Sequence, residues 1–325
     1  MRALVVVGGR VQVESRPDPI PGPGEVLVRV HGAGLNRADL AQRLGRYPAP
    51  PGSPADVPGL EFAGEVVALG PDVALPPVGT RVFGVVGGGG QAELVTVPVG
   101  QCAVVPDLLE LVPAGGVPEV FVTAHDALVT VCGGRAGEVM FVPAVGSGVG
   151  TAAVQLGRAL GLATVGSART PGKLDRARAL GLDHALLAAG ELDPVAFAEA
   201  LVAAAGPIDV ALDLVGGPYL AAEMRAAAPQ GRIVLISSMG GARVELDIGL
   251  LMGKRLRVQG TVLRPRSAEQ KAAATEAFVR DVVPLLADGR VQPVVAEALP
   301  LADAERAYEL LAADAVFGKV VLDCT

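Results

Sequence analysis

The chain predicts an α/β fold in three parts: a small β-barrel, a doubly wound parallel sheet, and a return segment that completes the barrel domain. Three observations carry this reading. Short alternating apolar runs between Gly/Pro turns fill the first third. Strands and helices then alternate through the middle, the pattern of a parallel sheet with crossover helices. Where that alternation begins, residues 139–156 read as strand, glycine turn and helix, the order a dinucleotide site needs.

At 325 residues the chain is long enough for two substantial cores. Within a first domain of residues 1–118, residues 1 to about 115 read as all-β, with strands at 1–7, 24–30, 64–70, 80–84 and 92–97. Residues 119–260 hold the alternating region, with strands at 139–142, 163–166, 208–213 and 232–236 and a helix at 173–180. Residues 261–325 read as a strand-like Val262-Leu263, a long helix over 268–287, another over 302–312 and a closing strand at 319–322. This tail returns to the first domain, which leaves the nucleotide domain inserted.

Composition removes several function classes. The formal net charge is −7 and no Lys/Arg block offers an electrostatic footprint for nucleic acid. Apolar residues fall in blocks broken by Gly and Pro, far short of the roughly twenty needed to span a membrane. Gly8-Gly9-Arg10 stops the first apolar run too soon for a signal peptide. Cys102, Cys132 and Cys324 lack any metal or disulfide spacing and read as small buried hydrophobes, as a reducing compartment allows. The expectation is a soluble, cytoplasmic protein.

In the glycine turn, Ala144-Val145-Gly146-Ser147-Gly148-Val149-Gly150, small residues let the backbone approach a pyrophosphate, and the following helix start offers N–H groups and its dipole. Gly146, Gly148 and Gly150 alternate, so the strict G-x-G-x-x-G spacing is not met, and a plain strand–helix turn uses the same residue types. The second strand ends Ser167-Ala168-Arg169-Thr170, with Lys173 close behind. An NAD site carries an acidic residue there for the ribose hydroxyls. Its absence, with Arg169 and Lys173 available to a 2′-phosphate, favours NADPH, although a solvated helix start uses the same cations.

Five stretches together resemble one family: residues 34–39 (Gly-Leu-Asn-Arg-Ala-Asp), 58–64 (Pro-Gly-Leu-Glu-Phe-Ala-Gly), 89–93 (Gly-Gly-Gln-Ala-Glu), 147–153 (Ser-Gly-Val-Gly-Thr-Ala-Ala) and 318–322 (Gly-Lys-Val-Val-Leu). The chain is similar to the zinc-free quinone oxidoreductase (zeta-crystallin) branch of the medium-chain dehydrogenase/reductase superfamily, over essentially its whole length. The run 35–40 and the pair Leu263-Arg264 resemble the tumour-suppressor-inducible quinone oxidoreductase type. The resemblance implies a GroES-like β-barrel catalytic domain plus a Rossmann doubly wound parallel sheet, with the reaction in a cleft between them. It also implies a homodimer, for which sheet-edge pairing through residues 233–236 and 244–248 is one possibility and ordinary core strands another.

Alcohol dehydrogenases of the superfamily place a Cys where Asn36 stands, a His where Leu60 stands and a further Cys near Glu119. Leu cannot ligate, Asn is a poor zinc ligand and Glu61 alone cannot hold the ion, so no metal is expected. His31, His125 and His184 have no partners at useful spacing and read as structural. Without a Lewis acid, alcohol oxidation loses its means of stabilising an alkoxide, which favours reduction of an acceptor already activated.

Asn36 is the only asparagine in the chain, which suggests a specific hydrogen-bonding task, though a turn after a strand also uses Asn. By resemblance its amide touches the nicotinamide or the acceptor oxygen. Tyr47, in a proline-rich loop, either donates to a quinone oxygen or anchors that loop. Arg264 either contacts the acceptor or pairs with a surface carboxylate. By resemblance Thr123 sits under the nicotinamide, and Gly216, Met239, Gly240, Leu263, Phe317 and Lys319 line the cofactor with Ser147, Gly148, Val149, Gly150, Ser167, Arg169 and Lys173. Two family tyrosines are missing, at Ala41 and Ala188. The expected activity is NADPH-dependent, zinc-independent quinone reduction. A reductase of α,β-unsaturated carbonyls (2-alkenals or enoyl thioesters) and a non-catalytic, NADPH-binding redox sensor are the alternatives.

Overall fold

β-branched runs between glycine turns form the first strands. The computed structural model describes Met1–Thr325 throughout. β1 (Arg2–Val7) and β2 (Arg10–Ser15) pair as a hairpin over Gly8-Gly9, both at positive φ. β3 (Glu25–Gly34) buries Val26, Val28 and Val30 on one face while Leu27 and Arg29 point away, the period-2 signature of a half-buried strand. α1 (Arg37–Arg43) follows at once, so this region is not all-β. The reason is local: the Asp39 carboxylate accepts from the Asn36 N–H at 2.8 Å and satisfies an orphan donor at the helix start. β4 (Glu61–Leu69), β5 (Arg81–Val85), β6 (Leu94–Pro98) and β7 (Cys102–Val104) come next, then α2 (Leu111–Ala114) and α3 (Pro118–His125).

The parallel sheet uses β8 (Val139–Val142), α4 (Gly148–Ala159), β9 (Ala163–Ala168), α5 (Pro171–Ala179), β10 (His184–Leu187), α6 (Pro194–Ala205), β11 (Ile208–Asp213), α7 (Pro218–Ala226), β12 (Ala227–Leu235), α8 (Ile248–Lys254) and β13 (Arg257–Gly260). Its order is β10-β9-β8-β11-β12-β13, all parallel, which is the doubly wound arrangement. β12 lies between β11 and β13, and residues 242–247 form no strand. Of the two readings left open for residues 233–236, the ordinary core strand holds, because β12 has both ladders filled and β13 is the edge.

Residues 261–266 are irregular rather than strand-like. The long helix expected over 268–287 breaks into α9 (Ala268–Asp281) and α10 (Val283–Ala287). Pro284 has no N–H and its ring conflicts with the carbonyl four residues back. β14 (Val295–Pro300), which the sequence did not reveal, α11 (Ala304–Ala312) and β15 (Lys319–Asp323) finish the chain. β15 pairs antiparallel with β3, Val321 opposite Gly34, within a seven-stranded sheet of order β14-β15-β3-β4-β5-β7 with β6 on β3. Its core holds Phe62, Val28, Val82, Tyr308 and Leu322.

The chain divides into two compact units, one of Met1–Val122 with Leu263–Thr325 and one of Thr123–Val262.

Candidate active site

In the parallel-sheet unit the strand order reverses between β8 and β11, and ligands of such sheets bind at the carboxyl ends of the strands flanking that point. β8 runs there into the glycine turn. Ala144 takes φ +52°, and the Ser147 Oγ accepts the Gly150 N–H at 3.1 Å as N-cap of α4. A Cβ on Gly150 would lie 2.4 Å from the Ala144 carbonyl oxygen, so only glycine fits. Gly148, Val149 and Gly150 form the first turn, whose N–H groups have no intrahelical acceptor.

β9 delivers Ser167 and Arg169. Ser167 is fully buried with its Oγ 3.3 Å from the Tyr219 hydroxyl, whereas Arg169 is exposed and Lys173 lies in the first turn of α5. No carboxylate occurs from Ser167 to Leu174. After β11, one Asp213 oxygen accepts the Val215 and Gly216 N–H groups at 2.8 and 2.7 Å. Gly216, at φ +72°, packs against Ser237 and Ser238, and the Gly240 N–H reaches the Val215 carbonyl at 2.7 Å, so Gly216 and Gly240 are brought together. Met239 beside them is exposed, and Thr123 is half-buried in α3. Sequence reasoning missed Tyr219, which stacks on Phe141 and meets Phe197 edge-on, and Asp213; an Asp ahead of Gly216-Gly217 at a strand end was the available signal. A glycine-cradled helix start and a basic, acid-free second strand end fit a phosphorylated dinucleotide.

The other unit holds a buried charge network built on β15, β4 and the residue before α1. The Lys319 ammonium lies 2.6 Å from Glu61 Oε1 and donates to the Leu35 carbonyl (2.5 Å) and Asn36 Oδ1 (2.7 Å). Asn36 Nδ2 donates to Glu61 Oε1 at 3.0 Å and, more weakly, to the Gly34 carbonyl at 3.4 Å. Glu61 Oε2 accepts the Glu119 N–H at 2.9 Å. Lys319, expected to hold cofactor, instead has its three donors taken by Leu35, Asn36 and Glu61, so it positions Asn36.

Asp39 is fully buried, and burial pushes its carboxyl up to about 6 even though the Asn36 N–H and Lys319 favour its charge. It accepts from Gln91 Nε2, whose Oε1 accepts from Tyr308. Burial, reinforced by the Glu61 charge, pushes Glu119 up to about 8.

Arg264 is buried and faces neither solvent nor a surface carboxylate. Its guanidinium donates to the Gly87 carbonyl (2.8 Å), the Tyr47 carbonyl (3.0 Å) and Gln42 Oε1 (2.6 Å), and lies 4.9 Å from the centre of the Tyr47 ring. It therefore anchors the Tyr47 loop by a cation–π contact and one hydrogen bond to its main chain, and ties that loop to Gly87 and Gln42. Tyr47 is half-buried; burial and then Glu119 raise its hydroxyl, with Arg264 opposing. Leu60, Leu263 and Phe317 are buried apolar groups. No three His, Cys, Asp or Glu side chains are grouped to hold a metal ion.

Comparison with known proteins agrees with both halves. Residues 22–107 match the family model of the alcohol dehydrogenase GroES-like domain, and residues 148–278 that of the zinc-binding dehydrogenase. The NADPH-complexed quinone oxidoreductase of Thermus thermophilus superposes with a TM-score of 0.83 at 32% identity, covering 99% of this chain and 100% of that one. The chain belongs to the medium-chain dehydrogenase/reductase superfamily. Within that superfamily it is also 28% identical to quinone oxidoreductase-like protein 2 of Bos taurus over 95% of this chain and 87% of the relative. It is 34% identical over 302 residues, 92% of its length, to the spectinabilin polyketide synthase system protein NorB of Streptomyces orinoci. The chain spans only 13% of NorB, and 4% and 6% of two further Streptomyces polyketide synthases it matches. The coarse chemistry that membership of this superfamily carries is NAD(P)-dependent oxidation–reduction. No helix is long and apolar enough to cross a membrane.

Proposed function

We propose that this medium-chain dehydrogenase/reductase is an NADPH-dependent, zinc-independent reductase of quinones, of the quinone oxidoreductase branch. The observation that carries the zinc-independent part is the Lys319–Glu61–Asn36 network: a fixed ammonium already neutralises Glu61 and engages Asn36, so a divalent cation there would meet a like charge. The similarity to an NADPH-complexed quinone oxidoreductase supports the acceptor class.

NADPH, when bound, supplies the hydride. On this reading the first-turn N–H groups of Gly148 and Val149 hold its pyrophosphate, Gly150 lets the backbone turn tightly there with its own N–H on Ser147 Oγ, and Arg169 and Lys173 take the 2′-phosphate. Thr123, Gly216, Met239, Gly240, Leu263 and Phe317 shape the rest. Asn36, fixed by Lys319, offers the acceptor oxygen the one N–H that it spends only on a long contact to Gly34. Tyr47, its ring held over Arg264, donates a hydrogen bond or proton to that oxygen.

The similarity to segments of polyketide synthases supports a second reading, reduction of an α,β-unsaturated carbonyl such as a 2-alkenal or enoyl thioester. Comparing kcat/KM for a small quinone, a large quinone, a 2-alkenal and an enoyl thioester with NADPH separates the two. Quinones at least about tenfold ahead support the first reading, and a thioester ahead by that margin replaces it.

A further inference from the structure

At the amino ends of β8 and β13, opposite the end of β8 that carries the glycine turn, the parallel-sheet unit has a cleft of about 640 Å³ lined by Arg135, Arg232, Arg255 and Arg257 with the single carboxylate Glu138. That carboxylate is fully occupied. Arg232 donates to its two oxygens at 2.9 and 2.5 Å, and the Arg135 N–H adds a third bond to it at 2.9 Å; Arg232 also donates to the Cys132 carbonyl at 3.0 Å. Arg135, Arg255 and Arg257 are exposed and form no ion pair with any acidic group.

Two further features concentrate the charge. Arg232 and Arg257 are register partners on adjacent strands β12 and β13, and Glu138 pairs with Arg232 alone, which leaves the Arg257 charge beside it without an ion-pair partner. Gln230 and Arg255, both lining the cleft, sit at φ +65° and +53°, the left-handed region that favours glycine. Long polar side chains are thus kept where glycine would be easiest, in a protein of net charge −7.

We propose that this cleft is a second ligand site, separate from the dinucleotide site, that takes a small molecule bearing a di- or polyphosphate. Planar guanidinium groups pair two-pronged with phosphate oxygens, three of them are uncommitted, and the volume suits a ligand of nucleotide size.

The experiment is a calorimetric titration of the NADPH-saturated protein with inorganic pyrophosphate and, separately, with ATP, in wild type and in Arg255→Ala/Arg257→Ala. Both residues are exposed, so the double variant is expected to fold, which its circular dichroism checks; Arg135→Ala is the second variant. Pyrophosphate is expected to saturate the wild type at one site and to bind at least about tenfold more weakly to the variants, with affinity falling as salt rises. ATP tighter than pyrophosphate assigns a nucleoside phosphate, and equal affinity assigns the inorganic anion. Unchanged pyrophosphate affinity in both variants, no saturation below about 1 mM, or equal binding of sulfate overturns the proposal. Because the readout is a difference between wild type and cleft variants, it stands whatever cofactor the other end of the sheet prefers.

Discussion

The Lys319 ammonium and the Glu61 carboxylate lie 2.6 Å apart, with side-chain exposures of 4% and 0%. A buried pair of this kind is tolerable only because Leu35, Asn36 and the Glu119 N–H satisfy the remaining donors and acceptors. Lys319→Met is expected to cost about 3–5 kcal/mol, since it strands a buried carboxylate. Lys319→Met/Glu61→Gln should recover much of that in denaturant unfolding. Equal losses in the single and double variants would show that the two side chains do not act as a pair.

Glu119 sets a pH limit on the same unit. Its carboxyl is raised to about 8, first by burial and then by Glu61, so the folded state holds a proton that the unfolded chain gives up near 4.5. Stability from this group is complete below the unfolded value and is lost as pH rises through about 8. Thermal melts should therefore show wild type losing stability between roughly pH 5 and 9 more steeply than Glu119→Gln. Parallel slopes would remove Glu119 as the cause.

Glu223 carries the same sign in the other unit. It is fully buried, neither oxygen has a hydrogen-bond partner, and burial followed by the Asp213 charge raises it well above the ordinary carboxylate value. Glu223→Leu is expected to stabilise the protein by about 1–3 kcal/mol at pH 8, where the proton is hardest to keep, and by less at pH 5. Urea unfolding at the two pH values measures this, and a loss at both would show that Glu223 has a partner.

Cofactor preference should follow Arg169. Losing a charge-assisted contact to a 2′-phosphate costs about 1.5–3 kcal/mol, so Arg169→Ala should weaken NADPH binding by roughly 10–100-fold and leave NADH within about twofold. Nicotinamide fluorescence titration reads both, and equal weakening of the two cofactors would place Arg169 elsewhere.

Gly150→Ala should fail for a different reason. Its Cβ would fall 2.4 Å from the Ala144 carbonyl oxygen, which is main chain and cannot swing aside. A loss of stability of about 1–3 kcal/mol, with weaker binding of NADPH and NADH alike, is expected from melts and titrations.

Periodicity and punctuation made the parallel sheet legible, because β8, β9, β11 and β12 are apolar runs bounded by Gly and Pro. α1 was hidden by its length and by a capping carboxylate, Asp39, that reads as an ordinary surface acid. The α9–α10 break was visible as Pro284, but the apolar stripe continues through it. Asn36 stood out as the only asparagine. Its partners Glu61 and Lys319 are 25 and 283 positions away along the chain, a pairing that no local pattern encodes. Arg264 was legible as a candidate but not as an anchor, since its acceptors are the main-chain carbonyls of Gly87 and Tyr47 and the Gln42 side chain.

The most direct measurement is steady-state oxidation of NADPH and NADH with a small quinone after exhaustive treatment with a metal chelator. Turnover that survives chelation, with NADPH preferred, is the expected result. Activity that disappears on chelation and returns with zinc, or a preference for NADH, would contradict it.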